Sequence, residues 1–419
     1  MRSPPSENVA AELEVTTVGE DRSWGIMCRM AVKRNSGSLN LAPASVDDFR
    51  DLARRRLPRI IFDNLDGGSF NEVTLRANRK DLEEIRFRQR VLRDVSQRTL
   101  ATTVLGQEVA MPLILAPLGN GGFFARRAEV QAARSAERAG IPFCEAALAI
   151  CSVEEVAAAV RQPPWFQLYM MKDRDYVQDL MSRAEGTGCT TLVFTVDMPL
   201  GGLRYRDVRN GVNGRLGVAK RLRRDFDLIS HVNWVRDVVY RGRPLTFGNL
   251  EKALPDARKP QDFYGWIANQ FDSSFTWADL SWLRENWKGK IVLKGILDAD
   301  DAREAVDRGV DAIVVSNHGG RQLDDVPSSI GALPAIVDAV ESQCELLMDG
   351  GVRSGLDVVK ALALGARACL IGRPWAYAVA ARGEAGIDRI ISIIREEMLV
   401  TLGLIGVTEV RELDRSVLM

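Results

Sequence analysis

The sequence predicts an α/β fold, a closed (β/α)₈ barrel of the TIM type, and three observations carry that prediction. From about residue 112 onward, short apolar runs alternate with amphipathic helical patterns. Eight such runs occur; strand–helix alternation implies parallel strands, and eight units suggest closure into a barrel. Polar side chains stand at one end only of runs otherwise rich in Val, Ile and Leu. A doubly wound open sheet is the competing architecture, but no Gly-x-Gly-x-x-Gly follows the first run.

In order, the runs cover residues 112–116, 142–148, 165–170, 191–197, 291–295, 312–317, 345–351 and 368–374. Helical patterns fall at 129–139, 152–161, 176–184, 300–308 and 355–364, and two more, at 47–56 and 57–65, lead into the barrel. Residues 1–43 are polar and irregular and read as a tail or loose cover, so 44–419 form the barrel. A long insertion at about 200–275 follows the fourth run. Its first part, 217–243, mixes Lys220, Arg221, Arg223, Arg224, Arg236, Arg241 and Arg243 with Leu222, Phe226, Leu228, Ile229, Trp234 and Val238. A basic amphipathic stretch of this kind suits an anionic membrane surface, and equally a solvated lid or an oligomer contact.

Composition narrows the class. With 56 basic and 56 acidic residues the net charge is zero, so no global field favours nucleic acid. No apolar run reaches the roughly 18–20 residues of a membrane span, and the N-terminus lacks the order of a secretory signal. Six scattered cysteines, Cys28, Cys144, Cys151, Cys189, Cys344 and Cys369, suggest reduced thiols and a cytoplasmic location, with peripheral contact at the inner face of the cell membrane as an option. Two histidines and no clustered ligands give metal catalysis no support.

In a (β/α)₈ barrel, chemistry gathers at the carboxyl ends of the strands. The polar residues there are Gln167, Tyr169, Thr195, Asp197, Lys294, Ser316, His318, Asp349 and Arg373. His318 lies in Ser316-Asn317-His318-Gly319-Gly320-Arg321-Gln322-Leu323-Asp324, just past the sixth run. A proton acceptor beside a fixed guanidinium is what a site needs to take a proton from a substrate while gripping its carboxylate. A lone histidine in a turn would read as structural; its combination with Arg321 and the glycine pair points to chemistry.

Asp349-Gly350-Gly351-Val352-Arg353 closes the seventh run and Gly372-Arg373 the eighth. Loops at those two strand ends commonly cradle a phosphate, with Arg353 and Arg373 adding charge-assisted bonds. A phosphorylated substrate would fit as well as a cofactor. Lys294, at the mouth of the fifth run, could stabilise negative charge on a reduced flavin; a Schiff-base lysine or a structural ion pair are the rival roles.

These motifs resemble the FMN-dependent L-2-hydroxy acid dehydrogenase and oxidase family, from about residue 43 to the C-terminus. The resemblance rests on Ser316–Asp324, Trp165-Phe166-Gln167-Leu168-Tyr169, Thr195-Val196-Asp197-Met198-Pro199 and Asp349–Arg353. Arg204-Tyr205-Arg206-Asp207 and Lys294-Gly295-Ile296-Leu297-Asp298 look most like its bacterial L-lactate dehydrogenase branch. The resemblance implies FMN at the C-terminal face of the strands and oxidation of an L-2-hydroxy acid, lactate-like or larger, to the 2-oxo acid. His318 would be the base and Asp197 its orienting carboxylate. Arg321 would clamp the substrate carboxylate with Arg204 beside it, and Tyr169 would hydrogen-bond the substrate. Pro117, Leu118, Gly119, Ala146, Gln167, Thr195, Lys294 and Ser316 would hold the flavin, and Asp349, Gly350, Gly351, Val352, Arg353, Gly372 and Arg373 its ribityl-phosphate end. A quinone, another carrier or oxygen would accept the electrons, and a homo-oligomer, often a tetramer, would be expected.

Two departures stand out. Phe62 occupies the place expected for a carboxylate-binding tyrosine, and Ala146 that of a serine facing the flavin. Loss of the hydroxyl would remove a bond to a charged group worth roughly 1.5–3 kcal/mol. That loss opens a second reading, in which the same flavin barrel oxidises an amine or a modified peptide, or isomerises its substrate.

Overall fold

The computed structural model describes residues 42–212, 216–254, 256–257 and 260–419. The tail expected over residues 1–43 thus lies, up to residue 41, outside the described residues, as does Cys28. Eight parallel strands run β1 (Leu113–Leu115), β2 (Cys144–Ala146), β3 (Trp165–Leu168), β4 (Thr191–Thr195), β5 (Lys290–Ile296), β6 (Ala312–Val315), β7 (Glu345–Met348) and β8 (Ala368–Ile371). They pair in the order β1-β8-β7-β6-β5-β4-β3-β2. A parallel bridge between Leu115 and Phe143 brings the two edges together, so the sheet closes as the sequence predicts.

Strand alternation positions the site. Val193, Val292, Val314, Leu347 and Trp165 lie in one core cluster inside the barrel. Successive strand side chains point to opposite faces, so the residue two further along each strand is also inward. Those residues are Thr195, Lys294, Ser316, Asp349 and Gln167, and all five are buried. Apolar layers therefore fill the barrel below, and one polar layer caps it at the carboxyl ends. At the opposite end a hairpin, Thr102–Val104 with Gln107–Val109, adds Val104 and Val109 to the same inner cluster. All the strands but β5 are shorter than the apolar runs, and Tyr169, Asp197 and His318 already belong to the loops leaving their strands.

Two helices precede the barrel, α1 (Val46–Arg56) and α2 (Arg59–Asp66). Ser45 caps α1 in a capping box with Asp48. At the end of α2, Asp66 accepts from Arg50 at 2.6 Å, Arg206 at 2.9 Å and the Tyr377 hydroxyl at 2.7 Å. Burial alone would raise its pKa, but these partners hold it well below the usual carboxylate range.

Helices Val218–Ser230 and Pro260–Gln270 lie in the insertion. The first has no buried residue, and Val218, Leu222, Phe226 and Ile229 are all exposed. No described helix is long and apolar enough to cross a membrane. Cys144, Cys151, Cys189, Cys344 and Cys369 carry free thiols.

Candidate active site

A cleft opens at the carboxyl ends of the strands and gathers most of the predicted residues. Pro117, Leu118, Gly119, Gln167, Tyr169, Thr195, Arg204, Lys294, His318, Arg321, Asp349, Gly350, Gly351, Val352, Arg353, Gly372 and Arg373 line it. Asp197 and Ser316 stand behind this wall and act on the residues that form it.

His318 adopts a left-handed backbone, φ 56°, and Gly319 and Gly320 continue it at 64° and 71°. That conformation is costly for a residue with a Cβ, and such strain concentrates where a side chain has to be aimed. The Ser316 hydroxyl accepts from the His318 backbone N–H at 3.0 Å. The imidazole Nδ1 lies 2.8 Å from Asp197 Oδ1. Burial would raise the Asp197 carboxyl, but His318, with Lys294 behind it, holds it below its ordinary value. An ionised Asp197 accepts the Nδ1 hydrogen, which leaves the Nε2 lone pair as the proton acceptor. Asp197 itself needs room: Gly295 takes φ 113°, and a Cβ there would stand 2.6 Å from the Asp197 side chain. The β5–β6 register shifts between Lys294 and Ile296, a bulge that makes space for the carboxylate.

Lys294 Nζ pairs with Asp349 Oδ2 at 2.8 Å and donates to Ser316 Oγ at 2.9 Å. Burial opposes its charge, but Asp349 and Asp197 raise its pKa above the ordinary value. The ion pair that sequence reasoning weighed as a rival role is therefore real. It is compatible with the flavin role, since an ammonium has a third N–H and Lys294 lines the cleft. Gln167 donates to Thr195 Oγ1 at 3.0 Å beside it.

Three guanidiniums complete the wall. Arg321 donates to the carbonyls of Asn64 and Gly67 at 2.7 and 2.8 Å. Arg373 donates to Leu65, Gly67 and Gly319 carbonyls at 3.2, 2.8 and 2.9 Å. The C-terminal carbonyls of α2 thus orient both cations, as the negative end of a helix should. Arg353 bonds its Val352 neighbour's carbonyl at 2.8 Å. Among the described residues none of the three pairs with a carboxylate. Burial, then the like charges of Arg204 and Arg373, push Arg321 well down, and burial brings Arg353 to about 10. Buried charge without a counter-ion is expensive, so the cleft is built to take up anions.

The two glycine turns differ. Gly350 and Gly351 take φ 95° and 87°, but Asp357 already accepts from the Arg353 and Ser354 N–H groups at 2.8 and 3.0 Å. The helix after β8, Arg373–Arg382, has no side-chain cap at Gly372. The helix start at Gly372, with Arg353 and Arg373 also on the cleft wall, would hold a phosphate, and Lys294 would face a bound ring.

Phe62 corrects one expectation. Its ring is buried, stacked on Tyr377 at 6.5 Å, and it does not line the cleft. Asn64 does. Two positions along a helix turn the side chain through about 200°, to the opposite face. Replacement of a tyrosine at position 62 therefore removes no hydrogen bond from this cleft. Ala146 is likewise buried off the cleft wall, although neighbouring Leu148 reaches it. Sequence reasoning missed Asn64, Asn120, Met198, Phe247, Tyr264 and Ile267, all of which line the cleft. Met198 lies inside a quoted motif, Thr195–Pro199, but was given no role there; the insertion residues carried no comparable signal.

The family model for FMN-dependent dehydrogenases matches residues 53–419. The chain belongs to that family, and its cofactor is FMN. It is 52% identical over 375 residues to the L-lactate dehydrogenase of Caulobacter vibrioides, covering 90% of this chain and 97% of that protein. The L-lactate dehydrogenase of Pseudomonas syringae is 48% identical over 376 residues, 90% and 98% of the two chains. Among solved structures, the monotopic membrane protein (S)-mandelate dehydrogenase aligns with a TM-score of 0.84 at 36% identity, covering 90% of this chain and 99% of that one.

Proposed function

We propose that this enzyme oxidises an L-2-hydroxy acid to the 2-oxo acid, with His318 as base. The observation that carries this is the pairing of His318 with Asp197 in a cleft that also holds Arg321, a cation that forms no salt bridge among the described residues. Arg321, seconded by Arg204, binds the substrate carboxylate, and Tyr169 orients the hydroxyl. His318 Nε2 takes the proton released as C2 is oxidised, and Asp197 stabilises the imidazolium so formed. FMN supplies the two-electron acceptor when bound. The amine and modified-peptide readings rested on Phe62 and lose that support, and the curated relatives are L-lactate dehydrogenases. The test is anaerobic: the yellow holoenzyme should bleach with L- but not D-hydroxy acids, and an enzyme bleached by amines alone would refute the reading.

The enzyme works at a membrane surface in this reading. The exposed stripe Val218, Leu222, Phe226 and Ile229 lies on a helix that also carries Lys220, Arg221, Arg223 and Arg224. An apolar face flanked by cations suits an anionic bilayer interface, and the matching (S)-mandelate dehydrogenase is monotopic. Electrons then pass to a quinone or another carrier at that surface. Hydrogen peroxide formed in stoichiometric yield would show oxygen to be the acceptor instead.

A further inference from the structure

Flavin contacts and the carboxylate clamp leave one part of the cleft unassigned, and Asn64, Asn120, Met198, Tyr264 and Ile267 line it. Three of these five form hydrogen bonds, whereas a substrate no larger than lactate would present only a methyl group. Tyr264 comes from the insertion helix Pro260–Gln270 and is 40% exposed. Phe247 holds its ring edge-on at 5.6 Å. Its hydroxyl donates to Asn120 Oδ1 at 3.1 Å, which commits the phenolic hydrogen and leaves the oxygen as an acceptor.

A chain of contacts ties this corner to the clamp. Arg321 donates to the Asn64 carbonyl at 2.7 Å, and Asn64 Nδ2 donates to Asp207 Oδ2 at 3.0 Å. Arg204 stands 3.8 Å from the same carboxylate. Burial and then Asp207 push the Tyr264 phenol up to about 12, so it stays protonated through the neutral range.

We propose that Tyr264, seated by Asn120, selects an L-2-hydroxy acid whose side chain carries an uncharged hydrogen-bond donor, such as a hydroxyl, over its apolar isostere. The inference rests on the proposed hydroxy-acid chemistry. An apolar group against the phenol would displace water and return no bond, and sites built to bond a substrate hydroxyl discriminate strongly against analogues lacking it. A second carboxylate is disfavoured, because Asp207 Oδ1 is already buried there with no hydrogen-bond partner among the described residues.

Two isosteric pairs test this: L-2,3-dihydroxypropanoate against L-2-hydroxybutanoate, and L-2,4-dihydroxybutanoate against L-2-hydroxypentanoate. The holoenzyme should favour the hydroxylated member of at least one pair about tenfold in kcat/KM, and Tyr264→Phe should lower that ratio about tenfold. A ratio is read because general damage to the fold lowers both members alike. Preference for the apolar member in both pairs, or a ratio unmoved by Tyr264→Phe, overturns the inference. Flavin bleaching by either series in that event leaves the proposed function standing; bleaching by no L-2-hydroxy acid, lactate included, ends both.

Discussion

Asp197 Oδ1 lies 2.8 Å from His318 Nδ1, and Asp197 Oδ2 is buried with no hydrogen-bond partner among the described residues. Among the described residues the imidazole is thus the carboxylate's one hydrogen-bond partner, with the Lys294 charge behind it. Asp197→Asn should retain FMN and its visible spectrum but lower kcat by about 10²–10⁴-fold, the range for disabling a general base. Steady-state kinetics with the best hydroxy acid checks this, and an unchanged kcat would remove Asp197 from the mechanism.

Gly295 makes that pairing possible. A Cβ there would collide with the Asp197 side chain from a backbone at φ 113°. Gly295→Ala should therefore lower kcat at least about tenfold, since small displacements of a positioned base cost that much or more. Wild-type kcat would show that the bulge has no bearing on the dyad.

Glu145 offers a stability test with a defined pH sign. It is fully buried on β2, neither carboxylate oxygen has a hydrogen-bond partner among the described residues, and burial, then Glu129, raises its pKa well above the ordinary value. The folded chain therefore holds a proton that the unfolded chain releases above about pH 4.3. Between that value and the raised folded pKa, stability falls as pH rises. Glu145→Leu should raise Tm at pH 7–8, by about 1–3 kcal/mol of stability, and change it less at pH 4. Thermal unfolding at the two pH values decides it; a Tm lowered at both would mean that the carboxyl has a partner in solution.

The exposed stripe predicts membrane behaviour. Leu222→Asp with Phe226→Asp should weaken co-sedimentation with vesicles containing anionic lipid at least tenfold, since each apolar side chain is worth about 1.5–3 kcal/mol when buried. Equal binding by this variant would place the contact elsewhere. Retained anaerobic flavin reduction would separate the surface from the chemistry.

Much of this was legible because strand alternation is strict. Once 165–170, 191–197, 291–295, 312–317 and 345–351 were read as barrel strands, Gln167, Thr195, Lys294, Ser316 and Asp349 had to share one layer. The phosphate loops were legible for the same reason, though not that Asp357 already caps one of them. Phe62 was misplaced because nothing in a short apolar helix says which of two residues faces a cleft that other elements complete. Tyr264 and Asn120 were beyond reach: they lie 144 residues apart and meet only because the insertion folds over the barrel mouth.

The measurement closest to the central claim is rapid anaerobic mixing of the FMN-loaded His318→Gln variant with its best L-2-hydroxy acid. The account predicts a wild-type flavin spectrum and binding of the 2-oxo acid product within a few fold of wild type. It predicts a flavin reduction rate lower by about 10³-fold or more, the scale of general base catalysis. Reduction at the wild-type rate would show that His318 is not the base, and the reading of the cleft would fail with it.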